Sequence, residues 1–226
     1  MSTRPHHSRS RDGLVAVLAG ATGLVGGECL KQLVADRRYA RVVVVTRRDA
    51  GPAARHAKVE QVVCEFDRLD SVRDRLRGGD HAFCALGTTI RKAGSQERFR
   101  AVDHDYVLRF AEAARAGGAT HLSVVSALGA SRTSPFPYSR VKGETEDDLR
   151  RMGWPSLAIL RPSVIAGDRA ESRPLERLSE HVLRWAPAKW RPVAATDIAA
   201  AMIALAGESD GGVTVVESHD IRRCRV

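Results

Sequence analysis

The first long apolar run of the chain, LVAVLAG over residues 14–20, passes without a polar break into ATGLVGG. An uninterrupted apolar run of this length reads as a strand buried on both faces. The glycines directly behind it demand a tight turn, and the segment after the turn, residues 24–35, has the apolar spacing of an amphipathic helix. Gly20, Gly23 and Gly26 fall at G-x-x-G-x-x-G spacing, one residue longer in the first interval than the G-x-G-x-x-G pattern of dinucleotide sites. The mechanical demands are the same. Gly20 permits the turn, Gly23 lets backbone approach a pyrophosphate, and Gly26 allows the helix to pack close to the strand. Amides at the helix start then face the phosphates with the positive end of the helix dipole. A glycine-rich turn without a ligand is the plain alternative, and the strand-to-helix setting favours the dinucleotide.

The rest of the chain repeats this alternation. RVVVVTRR (41–48), KVEQVVCEF (58–66), DHAFCAL (80–86), THLSVVSA (120–127) and PSLAILRP (155–162) read as strands. Between them, SVRDRLRG (71–78), QERFRAVDHDYVLRFAEAARAGG (96–118) and SRVKGETEDDLRRMG (139–153) read as helices. Strands and helices in strict alternation imply an α/β fold, a doubly wound parallel sheet with right-handed crossovers, the Rossmann arrangement. We expect a single domain over 13–226, with a small helical cap from about residue 162 over the carboxyl ends of the strands. Residues 1–12, basic and without periodicity, read as a disordered tail.

At 226 residues and 43% hydrophobic content the chain can bury a real core. Its formal charge of +9 could signal nucleic acid. The basic residues are spread along the whole chain, however, and arginine outnumbers lysine 31 to 5, so no specific nucleic-acid partner is expected. No run approaches the length of a membrane helix, and the basic N-terminus is not followed by a signal-peptide core, so a soluble cytoplasmic protein without a membrane partner is expected. Four scattered cysteines and eight scattered histidines give no metal-ligand spacing. No metal is expected.

At the end of the second strand, where an acidic residue would bond the ribose hydroxyls of NAD, the chain has Thr46, Arg47 and Arg48. Guanidinium groups pair with a 2′-phosphate that a carboxylate would repel, so the cofactor expected is NADP(H), read by Arg47 and Arg48. Asp67 follows the third strand, where it could accept from the adenine amino group, although DRLD is also an ordinary helix cap sequence. Leu86 and Gly87 form a small turn after the fourth strand, where the nicotinamide half must pass.

Ser126 ends the fifth strand, and twelve residues on, Tyr138 and Lys142 sit four apart on a helix, hence on one face. An ammonium beside a phenol favours the phenolate, which suits the phenol to acid-base work near neutral pH. Tyr138 could then protonate a carbonyl oxygen that Ser126 polarises while a nicotinamide delivers hydride.

With GATGLVG, Ser126 and the Y-x-x-x-K of Tyr138 and Lys142, the chain resembles the short-chain dehydrogenase/reductases, specifically their atypical members. ALGTTIRKAGSQERFRAVDHDYV, SVVSALGA, YSRVKGE and LRPSVIAGDR together are similar to the NAD(P)H-binding group typified by the human Tat-interacting protein of the oxidoreductase type. The resemblance implies that Gly20, Thr22, Gly23, Leu24, Val25, Arg47, Arg48, Leu86 and Gly87 touch the cofactor, with Tyr138, Lys142 and the turn from Pro162 to Val164 around the nicotinamide. Many members of the superfamily carry an asparagine in the helix after the fourth strand as part of a proton relay, and its counterpart here is Asp103. The activity implied is hydride transfer to or from a small carbonyl or alcohol. A second reading is an NADPH-sensing regulatory protein with a protein partner and no or vestigial turnover. Arg91, Lys92 and Arg98 read first as a solvated basic loop and second as a pocket mouth suited to an acidic substrate. The sequence does not identify the substrate or the oligomeric state.

Overall fold

The computed structural model describes residues 13–166, 191–207 and 211–224. Its order is β1 (Leu14–Ala19), α1 (Leu24–Ala35), β2 (Tyr39–Thr46), β3 (Val59–Val63), β4 (His81–Cys84), α2 (Ile90–Ala93), α3 (Gln96–Arg100), α4 (Tyr106–Ala116), β5 (His121–Val125), α5 (Pro137–Arg151), β6 (Ser156–Arg161), β7 (Ile165–Ala166), β8 (Val193–Ala194), α6 (Ala195–Gly207) and β9 (Gly212–Glu217). Seven strands form one sheet in the order β3-β2-β1-β4-β5-β6-β9, and every pairing in it is parallel. The order reverses between β1 and β4. Their carboxyl ends open the crevice where doubly wound sheets take ligands.

The apolar strands explain the layers. In β2 the residues Val42 to Val45 are buried on both faces, because alternate side chains enter opposite cores. Val42 and Val44 join Leu18, Leu30 and Leu33 under α1 and α6. Val43 and Val45 join Val17, Phe110 and Leu149 under α4 and α5.

Two features depart from the sequence reading. The polar helix expected over 71–78 is a 3-10 segment, Phe66–Leu76, broken at Arg68. The long helix expected over 96–118 is continuous but contains a π segment, Ala101–Asp105, between α3 and α4.

The region expected as a cap divides. Helix α6 is buried along most of its length and packs against α1, and β9 extends the sheet beside β6, so both belong to the body of the fold. Residues 167–190, where the remainder of the cap was expected, lie outside the described residues, as does the tail 1–12.

Candidate dinucleotide and active site

The turn between β1 and α1 is closed by two glycines. Gly20 has φ +91°, and a Cβ there would meet the Ala85 carbonyl carbon and oxygen at 2.5 Å. A Cβ on Gly26 would collide with the carbonyl oxygen of Gly20, so α1 begins in direct contact with the loop that leads into it. Gly23 is the N-cap, its amide donating to Gly20 O at 2.9 Å, and no side chain caps the helix. The first-turn amides are thus free of side-chain competition, and Thr22 and Gly23 are exposed beside them. Val25 is buried, so it offers the site its backbone alone. The chemistry of this cradle suits a pyrophosphate: it presents amides and a helix dipole, and a side chain at Gly20 or Gly26 would run into backbone and displace the loop that shapes it.

At the end of β2, the buried hydroxyl of Thr46 donates to the carbonyl of Arg48 at 2.6 Å. The turn leaves Arg47 and Arg48 exposed. The next acid along the chain, Asp49, accepts from the Gly51 amide at 2.8 Å and lies 3.6 Å from Arg55. Asp67 is already engaged: Arg109 Nη1 donates to it at 2.6 Å and the Tyr106 hydroxyl at 3.3 Å, while the Tyr106 ring stacks on Phe66 at 5.5 Å. Its carboxylate keeps lone pairs for a further donor.

Helix α5 brings Tyr138, Lys142 and Glu146 onto one face at successive turns. Tyr138 is partly exposed, and its ring stacks at 5.4 Å on the buried Phe99 of α3. Lys142 points inward. Its Nζ lies 2.8 Å from Asp103 Oδ1 and 3.5 Å from Val125 O. Asp103 is fully buried within the π segment. Its Oδ2 accepts the Thr88 amide at 2.8 Å, and its main-chain oxygen accepts the Thr145 hydroxyl at 3.0 Å. A Cβ on Gly87 would come within 3.3 Å of Asp103 Oδ1 and 3.8 Å of Lys142 Nζ, so the pair lies directly beneath that turn. Burial pulls the Lys142 ammonium towards losing its proton, but the charges of Asp103 and then Tyr138 outweigh it and hold its pKa above the usual lysine value.

Ser126 has a different partner. Its hydroxyl donates to Glu146 Oε1 at 2.5 Å. Arg161 grips the same buried carboxylate through Nε at 2.9 Å and Nη2 at 2.6 Å, Arg150 adds a contact at 3.2 Å, and Arg161 also reaches Glu217 at 3.0 Å. The cluster ties α5 to the carboxyl ends of β5, β6 and β9. A hydroxyl has one proton. In this arrangement that of Ser126 is committed to Glu146 and is not offered to a substrate. A cavity of about 10 Å³, the size of a single water, lies between Asp103, Ser126, Lys142 and Glu146.

The structure therefore brings Tyr138 and Lys142 together as expected, and finds Asp103 in direct contact with the lysine. Sequence reading missed Glu146 and Arg161. The available signal was an acid one turn past Lys142 on a face that must be buried, which requires a cation from another element. Of the turn that follows β6, Pro162 is buried, Val164 is exposed and its carbonyl accepts the Val193 amide at 2.9 Å. Among the described residues no group of three or more His, Cys, Asp or Glu is placed to hold a metal ion, and no helix is long and apolar enough to cross a membrane.

A 3-2-1-4-5-6 parallel sheet, a glycine cradle at its switch point and a tyrosine-lysine pair on the helix after β5 define a nucleotide-cofactor protein of the short-chain dehydrogenase/reductase type. The chain belongs to the NAD(P)H-binding family, whose profile matches residues 20–209. It is 38% identical to Protein HTATIP2 of Rattus norvegicus over 174 residues, 76% of this chain and 72% of that one. It is 31% identical over 218 residues to Protein FMP52, mitochondrial, of Candida albicans, covering 90% of this chain and 95% of that one. Its fold is that of an oxidoreductase of the short chain dehydrogenase/reductase family from Burkholderia thailandensis, with a TM-score of 0.72 at 18% identity and 92% of each chain covered.

Proposed function

We propose that the protein is an NADP(H)-dependent short-chain oxidoreductase acting on a small carbonyl or alcohol. The observation that carries this reading is the partly exposed Tyr138 phenol, steadied by Phe99, on one helix face with a buried and charged Lys142 that lies beneath the Gly87 turn. The cradle amides would hold the pyrophosphate, Arg47 and Arg48 the 2′-phosphate, and Asp67 the adenine amino group. Leu86, Gly87 and the Pro162 to Val164 turn would flank the nicotinamide. Reduced nicotinamide supplies hydride when bound. Tyr138 gives its hydroxyl proton to the carbonyl oxygen as that oxygen gains negative charge, and Lys142, with a donor left beyond Asp103 and Val125, favours the phenolate that results. Ser126 serves in the same constellation only if its hydroxyl turns from Glu146 to the substrate oxygen. In the arrangement observed it braces α5. We place the protein in the cytoplasm, and cell fractionation tests this against the mitochondrial location that the fungal relative's name carries.

A second reading, an NADPH sensor that signals to a protein partner, is favoured by one observation: the Ser126 proton and the Lys142 charge are both spent within the protein. The test is a titration of purified protein with NADPH and NADH, followed by nicotinamide absorbance against a panel of aldehydes, ketones and quinones, acidic members included. Turnover that Tyr138→Phe abolishes supports the enzyme. Tight NADPH binding without turnover, unaltered by Tyr138→Phe, supports the sensor.

A further inference from the structure

Three groups besides Asp103 face the Lys142 ammonium: the Cys84 thiol from β4, the Tyr138 phenol from its own helix and, across the small cavity, Glu146. Burial pushes the Cys84 thiol up to about 12, so it carries no charge at neutral pH. Glu146 is matched by Arg161 and Arg150. Asp103 is thus the group that balances the lysine. Its position is fixed from two sides, by the Thr88 amide at one carboxylate oxygen and by the π segment that carries its backbone.

We propose that Asp103 sets the preference of the site between oxidised and reduced cofactor, by cancelling the Lys142 charge beneath the nicotinamide. The inference rests on the cofactor reading above. The oxidised nicotinamide ring is a cation and the reduced ring is neutral. A lone ammonium in a dry cleft repels the first and leaves the second untouched, whereas an ion pair at 2.8 Å has a field that falls off much faster than that of a single charge. An asparagine at this position would leave Lys142 unbalanced and bias the site towards the reduced form. The carboxylate removes that bias and lets the site hold both forms.

The test is a charge cycle. Dissociation constants for NADP⁺ and NADPH are measured by calorimetry at a series of pH values from about 5.5 to 7.5, because a buried lysine without its carboxylate partner holds its proton more weakly, for the wild type, Asp103→Asn, Lys142→Met and the double variant. Asp103→Asn should raise the ratio Kd(NADP⁺)/Kd(NADPH) by about tenfold, and Lys142→Met should lower it by about as much. The double variant, again without net charge, should return to within about threefold of the wild type. A purely structural role would weaken both forms in parallel and leave the ratio unchanged, and that result overturns the proposal. Should Asp103→Asn not fold, the lysine variant still decides, because an unchanged or raised ratio there is equally fatal. Wild-type protein that binds neither form overturns the cofactor reading and the proposal with it, an outcome distinct from a site that binds without selectivity.

Discussion

Glu146 accepts the hydroxyl proton of Ser126 at 2.5 Å, eight residues along α5 from Tyr138 and on the same face. The helix that carries Tyr138 is therefore anchored to the sheet by a buried carboxylate, and the carboxylate depends on Arg161. Removing one member of such a cluster leaves an opposite charge uncompensated.

Glu146→Ala should accordingly cost about 3 kcal/mol or more of stability, read as a lower urea midpoint. Glu146→Gln keeps one acceptor for Ser126 and should cost less. If the glutamine variant is as damaging as the alanine, charge compensation of Arg161 outweighs the hydrogen bond to Ser126.

Gly26 tests the cradle separately from the fold's other supports. A Cβ there collides with the Gly20 carbonyl, which belongs to backbone and cannot swing aside. Gly26→Val should displace the loop at a cost of about 1–3 kcal/mol and lower NADPH affinity by more than about tenfold. Fluorescence titration of NADPH beside thermal unfolding separates the two effects. Undiminished affinity would mean that the first turn of α1 does not hold the pyrophosphate.

The acid limb of stability should be set by two histidines at the opposite end of the strands, the buried His121 and the half-buried His81. His121 bonds Ser156 and Ser123, and burial, aided by the nearby His81, pushes its pKa down to about 3. His81, bonded to the Tyr39 hydroxyl, is lowered mainly by burial. Both are neutral in the folded protein at pH values where the unfolded chain, with its histidines near 6.5, takes up protons. The sign follows: stability is complete above about pH 7 and falls as pH drops through about 6.5, by up to about 1.4 kcal/mol per unit for each group. Urea midpoints between about pH 7 and pH 5 isolate this window, because the carboxylates titrate below it. His121→Gln should flatten the slope. A midpoint that holds level across that window would refute the assignment.

Much of the fold was legible because its cores are apolar and its strands continuous. Val42 to Val45 can only be a strand covered on both sides, and residues 24–35 carry helical spacing with a glycine turn before them. The π segment at Asp103 was not legible: its hydrogen-bond register changes while the apolar pattern of α3 and α4 runs on. Of the site, Tyr138 and Lys142 could be read from local spacing. The partners of Ser126 could not, since Glu146 lies 20 residues away and Arg161 15 further, and only the folded sheet brings them together. Asp67 shows the same limit, because its bond to Arg109 spans 42 positions.

Under the proposed cofactor reading, the choice between NADP and NAD falls to the end of β2. Arg47 and Arg48 are exposed there, and the next acid along the chain, Asp49, is occupied by the Gly51 amide and Arg55. The two guanidinium groups therefore need not break an ion pair with Asp49 to meet a dianionic phosphate, and a charge-assisted contact to such a group contributes about 1.5–3 kcal/mol. The double variant Arg47→Ala, Arg48→Ala should then lower the preference for NADPH over NADH by about tenfold to a hundredfold, almost wholly through weaker NADPH binding, with NADH little changed. Raised salt should narrow the wild-type preference more than that of the variant, since exposed charges are screened. A wild-type protein that prefers NADH, or a variant whose preference is unaltered, would move the 2′-phosphate away from these arginines and return them to the role of solvated residues at a strand end.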